Sequence, residues 1–222
     1  MGSYRPITDT WLLAPCKHKY YGGYPAGFLE RARLVLVGGN LDAIIWHVCG
    51  GEAKKYNGIK GGVHLTGFGK NDVTIDIGPE CKPDILGDVR KLEKIIDMSV
   101  YTVRFKIFGS VDENKYFKTD IGFKVSNNFV DADEAIIDRP DAIIIDRPYT
   151  LKDAAMYRCG PDVFPELNKL VRDCLKIVKP NGLIGVLDYK IPQGNIWSVK
   201  GMYPVIAGTN CNVRCFTVGR AK

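Results

Sequence analysis

"DAIIIDRPYT" occupies residues 141–150, and its reading decides the fold. Ala142 to Ile145 form an apolar run with no polar alternation, the pattern of a strand buried on both faces of a parallel sheet. Asp146 ends the run. Pro148 restricts Arg147 to extended backbone, so the chain leaves the sheet in a fixed direction. That geometry holds the Asp146 carboxylate at the sheet edge with the Tyr149 ring a short step away. Asp138-Arg139-Pro140 repeats the tripeptide without the aromatic, and it reads as the turn entering the strand.

Outward from this strand, the chain alternates apolar runs with helical stripes. "GGYPAGFLERARLVLVGG" predicts a helix over 25–37, with Phe28, Leu29, Ala32 and Leu36 on one face and Gly38-Gly39 as its stop. "AIIWHVCGG" follows as a buried strand with a tight glycine turn, and "DVTIDI" (72–77) is a second strand ending in acid. "FPELNKLVRDCLKIVKPNG" carries Leu167, Leu170, Val171, Cys174, Leu175 and Val178 on one helical stripe, ended by Pro180 and Gly182. "LIGVLDY" is another buried strand, and "VIAGTNCNVRCFTVGR" reads as two strands joined by a glycine-containing turn. The expected fold class is α/β: a doubly wound, mostly parallel sheet closed by a C-terminal antiparallel hairpin, in a single domain over 1–222.

One region departs from that rhythm. Within 98–130, "SVYTVRFKIFG" and "KYFKTDIGFKVSNN" alternate apolar and polar residues on either side of "SVDENK". The pattern predicts a β-hairpin insertion with a polar loop, outside the parallel core.

Composition sets wider bounds. With 222 residues and 45% hydrophobic content the chain supports a substantial core. No apolar run reaches the roughly 18–20 residues that cross a bilayer. The N-terminal residues resemble no signal peptide, and the seven scattered cysteines lack zinc-site spacing. Reduced thiols and a cytoplasmic location are the expectation, with no metal and no membrane partner. The formal charge of +6 is compatible with a polyanionic partner.

Ligands of open α/β sheets sit beyond the carboxyl ends of the strands, so the residues there are the candidates. His47-Val48-Cys49-Gly50-Gly51 ends the first core strand, and its glycines let backbone approach a ligand without a Cβ in the way. The spacing is not that of the dinucleotide glycine fingerprint. Asp76 and Asp88 end later strands, where a carboxylate can accept ribose hydroxyls or an adenine amino group. A glycine turn followed by two such acids is the order expected for an adenosine-containing cofactor. At Asp146, a carboxylate beside a backbone carbonyl can accept both hydrogens of an exocyclic amine and leave the nitrogen lone pair free. Tyr149 can support a planar base by stacking.

These residues together resemble the S-adenosylmethionine-dependent methyltransferases, and more narrowly the compact phage and bacterial amino-group DNA methyltransferases with an Asp-Pro-Pro-Tyr signature. "HVCGG", "TIDIGPECKPDILGDVR", "IIIDRPYT" and "LKIVKPNGLIGVLDY" carry the resemblance, along with the opening "DTWLLAPCKHKYYGGYPAGFLERA". Arg147 stands where that signature has its first proline. The resemblance implies a class I, Rossmann-like fold and S-adenosyl-L-methionine as cofactor. It implies cofactor contacts from His47, Cys49, Gly50, Gly51, Asp76, Asp88 and Asp146. It implies a catalytic corner of Asp146, Arg147, Pro148 and Tyr149, with methyl transfer to a DNA base, adenine before cytosine. Substrate contacts would come from Tyr149, Lys190 and Trp197, the last two in a loop over 190–204 that also holds Lys200. The insertion offers Tyr101, Arg104, Phe105, Lys106, Lys115 and Tyr116, a mixture of charge and rings suited to nucleic acid, DNA before RNA. Two alternatives stay open: a methyltransferase for RNA, protein or a small molecule, and a nucleic-acid-binding protein on a degenerate fold. The chain is expected to be a monomer or a homodimer.

Overall fold

The computed structural model describes residues 6–14, 24–56, 58–60, 63–65, 67–94, 102–106, 116–118, 124–126, 134–156, 164–207 and 213–222. In chain order the first elements are β1 (Ile7–Thr8), β2 (Trp11–Leu13), α1 (Phe28–Val37), β3 (Ile45–Val48), β4 (Gly58–Lys60) and β5 (Val63–Leu65). Then come β6 (Val73–Asp76), β7 (Ile85–Leu86), β8 (Thr102–Lys106), β9 (Tyr116–Lys118), β10 (Lys124–Ser126) and β11 (Glu134–Asp138). The chain closes with β12 (Ala142–Ile145), α2 (Leu151–Met156), α3 (Leu167–Ile177), β13 (Leu183–Asp188), β14 (Trp197–Ala207) and β15 (Val213–Ala221).

The main sheet runs β1-β14-β15-β13-β12-β3-β6-β7-β10-β9, with β2 also paired to β14. The inner strands β13, β12, β3, β6 and β7 are all parallel. β15 is antiparallel to both its neighbours, β13 and β14. The protein is therefore a mixed α/β molecule with a mostly parallel central sheet and few helices. From β3 the chain winds outward through β6 and β7, then returns to β12 on the other side of β3. The strand order reverses between β3 and β12.

Burial explains why the inner strands read as continuous apolar runs. In β12, Ile143 and Ile145 pack with Trp46, Val48 and the apolar stripe of α3. Ala142 and Ile144 face the other way, into Ile45, Phe216 and the α1 residues Phe28, Leu29, Ala32 and Leu36. Helices thus cover both sheet faces, and successive strand residues feed separate cores.

α1 begins three residues later than its apolar pattern suggests, because Gly27 before it adopts a left-handed conformation at φ 80°. It ends at the expected glycines, whose amides donate back to Leu34 O at 3.0 Å and Arg33 O at 3.3 Å. α3 starts where Glu166 accepts from the amides of Asn168 and Lys169 at 2.9 and 2.6 Å. Its far end is held from outside. Arg139 donates to Ile177 O at 2.7 Å and also to Lys176 O, satisfying carbonyls the helix leaves open. Asp138 closes β11, so the expected turn is reduced to Arg139-Pro140, which also caps a helix.

Arg33 is buried on α1, where it pairs with the buried Asp72 and donates to Gly67 O and Asn40 O at 3.1 and 2.8 Å. Asp72 also accepts from the amides of Ile45 and Gly69, at 3.1 and 2.7 Å. Burial alone would raise the Asp72 pKa, but His47 and Arg33 outweigh it and hold the carboxyl below its usual range.

The insertion differs from the single hairpin expected. β8 pairs antiparallel with β11, the strand leading into Asp138. β9 and β10 pair with each other, and β10 extends the main sheet beyond β7. Period-two alternation specifies a half-buried strand but not its partner, so pairing of the two flanking stretches did not follow from it. The polar loop over 110–115, with Tyr101 and Lys115, lies outside the described residues. Among the described residues, no helix is long and apolar enough to cross a membrane.

Candidate functional site at the strand ends

Because the inner strands are parallel, Val48, Asp76, Leu86, Ile145 and Asp188 all end on one rim of the sheet. β15 runs the other way, so its first residues reach the same rim, with Cys215 opposite Asp188. The glycine turn and the Asp146 corner are neighbours there. Ile145 lies opposite Val48, and the Asp146 amide donates to Val48 O at 3.2 Å.

The turn after β3 is sharply made. Cys49 has φ 55°, a left-handed conformation that costs a non-glycine residue about 1–2 kcal/mol. A Cβ on Gly50 would sit 2.7 Å from the His47 carbonyl oxygen, so only glycine fits. The Gly50 amide donates to Ile75 O at 3.2 Å, and the Gly51 amide donates to Asp76 Oδ2 at 2.9 Å. Asp76 Oδ1 accepts from the Gly78 amide at 2.9 Å. Each carboxylate oxygen keeps a further lone pair, so Asp76 remains able to accept hydroxyl donors. Burial raises its pKa despite those amides.

Asp88 lies further along the rim and is engaged by its own neighbour. Arg90 Nε is 3.0 Å from both carboxylate oxygens, Nη2 is 2.7 Å from Oδ2, and the Arg90 amide donates to Oδ1. Burial opposes the Asp88 charge, but Arg90 prevails and lowers its pKa. The arrangement also caps the 3-10 turn over Val89–Lys94.

At the corner, Tyr149 donates its hydroxyl hydrogen to Asp146 Oδ1 at 2.5 Å. Arg214, from the start of β15, donates to the Tyr149 oxygen at 2.6 Å and lies 3.9 Å from Asp146 Oδ1. Burial pushes the Asp146 carboxyl up to about 6, with Arg214 and Tyr149 opposing the shift and Asp188 adding to it. Burial also raises the Tyr149 phenol well above its usual range. Burial disfavours the Arg214 charge, yet Asp146 and Tyr149 opposite it raise its pKa.

Arg147 is taken up by buried partners. It is buried, lies 2.9 Å from the buried Asp188 carboxylate, donates to Pro165 O at 3.3 Å and stacks over the Phe164 ring. In this position it is a brace rather than a group facing a ligand. The guanidinium therefore sets no cation against a ligand at the corner.

The other candidates separate. Cys49, Gly50, Gly51, Asp76, Asp146, Pro148 and Tyr149 stand on or next to one another at the rim. His47 is fully buried inside β3, hydrogen-bonded to Asp72 through Nε2 at 3.2 Å and stacked on Phe68, which makes it a packed core imidazole. Trp197 is 1% exposed in the core and donates its indole N–H to Pro192 O at 3.4 Å, so its ring is not presented at the surface. Lys190 is exposed beside the rim. Two residues there were not singled out from sequence: Arg214, and Tyr189, whose half-exposed ring packs edge-on against Tyr149 at 4.8 Å. An aromatic directly after a strand-ending acid was the available signal for Tyr189. Among the described residues, no group of three or more His, Cys, Asp or Glu could hold a metal ion.

No protein-family model matches the chain, and no curated protein sequence matches it.

Proposed function

We propose that the chain is an S-adenosylmethionine-dependent methyltransferase of the class I, Rossmann-like type that methylates an exocyclic amino group of a DNA base. The observation that carries the reading is the juxtaposition of the Gly50-Gly51 turn and the Asp146 corner, joined by the Asp146 amide to Val48 carbonyl bond of 3.2 Å. Two further features support it. The strand order reverses between β3 and β12, which is where open α/β sheets bind ligands. The antiparallel strand β15 is inserted beside β13, as expected for this class.

The residues present suit the cofactor. Asp76 offers free lone pairs for a ribose diol, and the tight Cys49–Gly51 turn brings backbone close to the rim. The Asp146 carboxylate would set an opposite charge near a sulfonium bound at this rim. The cofactor supplies a methyl group already activated on that sulfur. Asp146 accepts one amine hydrogen and orients the lone pair, while Tyr149 offers its ring to the planar base. With the amine held by Asp146 and the base by Tyr149, the nitrogen lone pair would be free to take the methyl group, and the cofactor would leave as a neutral thioether. The surplus proton leaves the nitrogen through its hydrogen bond to Asp146. Positioning, rather than proton abstraction beforehand, is the main contribution of the protein.

Incubation with methyl-labelled cofactor and a panel of DNA, RNA and protein acceptors tests the proposal. Label is expected in DNA, as an N-methyl base, and D146A is expected to lose transfer while still binding cofactor by calorimetry. Label in RNA or protein alone would overturn the acceptor. Absence of cofactor binding would overturn the activity.

A further inference from the structure

Resting on the methyltransferase reading, we infer that Arg214 is a positioning residue for the acceptor amine: it locks the Tyr149 phenol so that Asp146 presents Oδ2, ionised, to the substrate. An arginine donates hydrogen bonds and never accepts them. With Nη1 of Arg214 2.6 Å from the Tyr149 oxygen, the single phenol hydrogen is directed elsewhere, and Asp146 Oδ1 takes it at 2.5 Å. No described residue bonds Oδ2. The amine therefore meets one defined oxygen of the carboxylate. The ring is fixed as well: the Arg214 guanidinium lies 5.7 Å from its centroid, and Tyr189 packs edge-on against it.

Charge points the same way. The groups facing Asp146 are Arg214 from β15, Tyr149 from its own corner and Asp188 from the end of β13. Asp188 has Arg147 beside it, and Arg214 is the cation that the described residues set against Asp146. Without it, a buried carboxylate beside another carboxylate would hold its proton, and a protonated acid oxygen cannot receive the amine hydrogen.

The test is a carbon-13 titration of the Asp146 carboxyl in ligand-free protein, assigned with D146N, for wild type, R214Q and R214K. The wild-type midpoint is expected at about 6. R214Q is expected to move it up by about 1 unit or more, and R214K by less than about half a unit, since an opposite charge within a few ångströms has effects of this size. The acid limb of methyl transfer should move with the midpoint, kcat falling while the KM for cofactor stays put. An unmoved midpoint in folded R214Q would overturn the inference, and so would loss of folding in both variants, because Arg214 would then hold the sheet. If the wild type transfers no methyl to any acceptor, the methyltransferase reading fails. The carboxyl midpoints still decide whether Arg214 controls Asp146.

Discussion

Arg147 and Asp188 lie 2.9 Å apart with both side chains buried, joining the corner after β12 to the end of β13. Removing one partner of a buried pair strands the other charge. R147M is expected to cost about 3–5 kcal/mol in urea unfolding at pH 7. R147M with D188N should recover much of that loss. A single R147M variant as stable as wild type would show that the brace carries no weight.

Asp146 titrates in the folded protein at about 6, above its ordinary 3.8. Its ionisation therefore opposes folding. The Asp146 contribution to stability is fullest below pH 3.8 and is lost as pH rises through 6, by an amount on the order of 3 kcal/mol. D146N removes that titration. The melting temperature of D146N relative to wild type should climb between pH 4 and pH 8, and under the proposed function methyl transfer by wild type should fade below pH 6. A flat difference across that range would contradict the buried carboxylate.

Asp72 has the opposite sign. Its folded pKa is depressed, so its contribution is present above the ordinary 3.8 and lost as pH falls through the folded value. D72A would leave Arg33 buried without its carboxylate, at a cost of about 3–5 kcal/mol near neutral pH. Chemical unfolding at pH 7 and pH 3 checks this, with a smaller gap between variant and wild type expected in acid.

G50A tests the glycine turn. Its Cβ would fall 2.7 Å from the His47 carbonyl oxygen, so the turn must shift. Under the proposed function, affinity for S-adenosylmethionine is expected to drop at least about tenfold, equivalent to 1.4 kcal/mol. Calorimetry measures this directly, and unchanged affinity would separate the turn from the cofactor.

Much of this arrangement was legible in the residues. β3, β12, β13 and α3 announce themselves because burial on both faces leaves continuous apolar runs and a clean helical stripe. The Asp146 corner follows from the proline that fixes its exit. Arg214 was hidden because its nearness depends on the antiparallel register that sets Cys215 against Asp188, a relation spanning the chain's last hairpin. Trp197 misled for a related reason: it looks like a loop aromatic but opens β14, where the first side chain turns inward. His47 lies in a strand whose neighbours Arg33 and Asp72 come from distant segments, so its hydrogen-bonded burial could not be read locally.

The duplicated Asp-Arg-Pro gains its meaning from α3. Arg139 grips the carbonyls at one end of that helix, and Arg147 grips Pro165 O just ahead of the other. The eight-residue interval between the two arginines is thus a ruler matched to the helix lying across the strand. Lengthening or shortening α3 by a residue would pull one clasp out of reach, and through Asp188 would loosen the floor beneath the Asp146 corner.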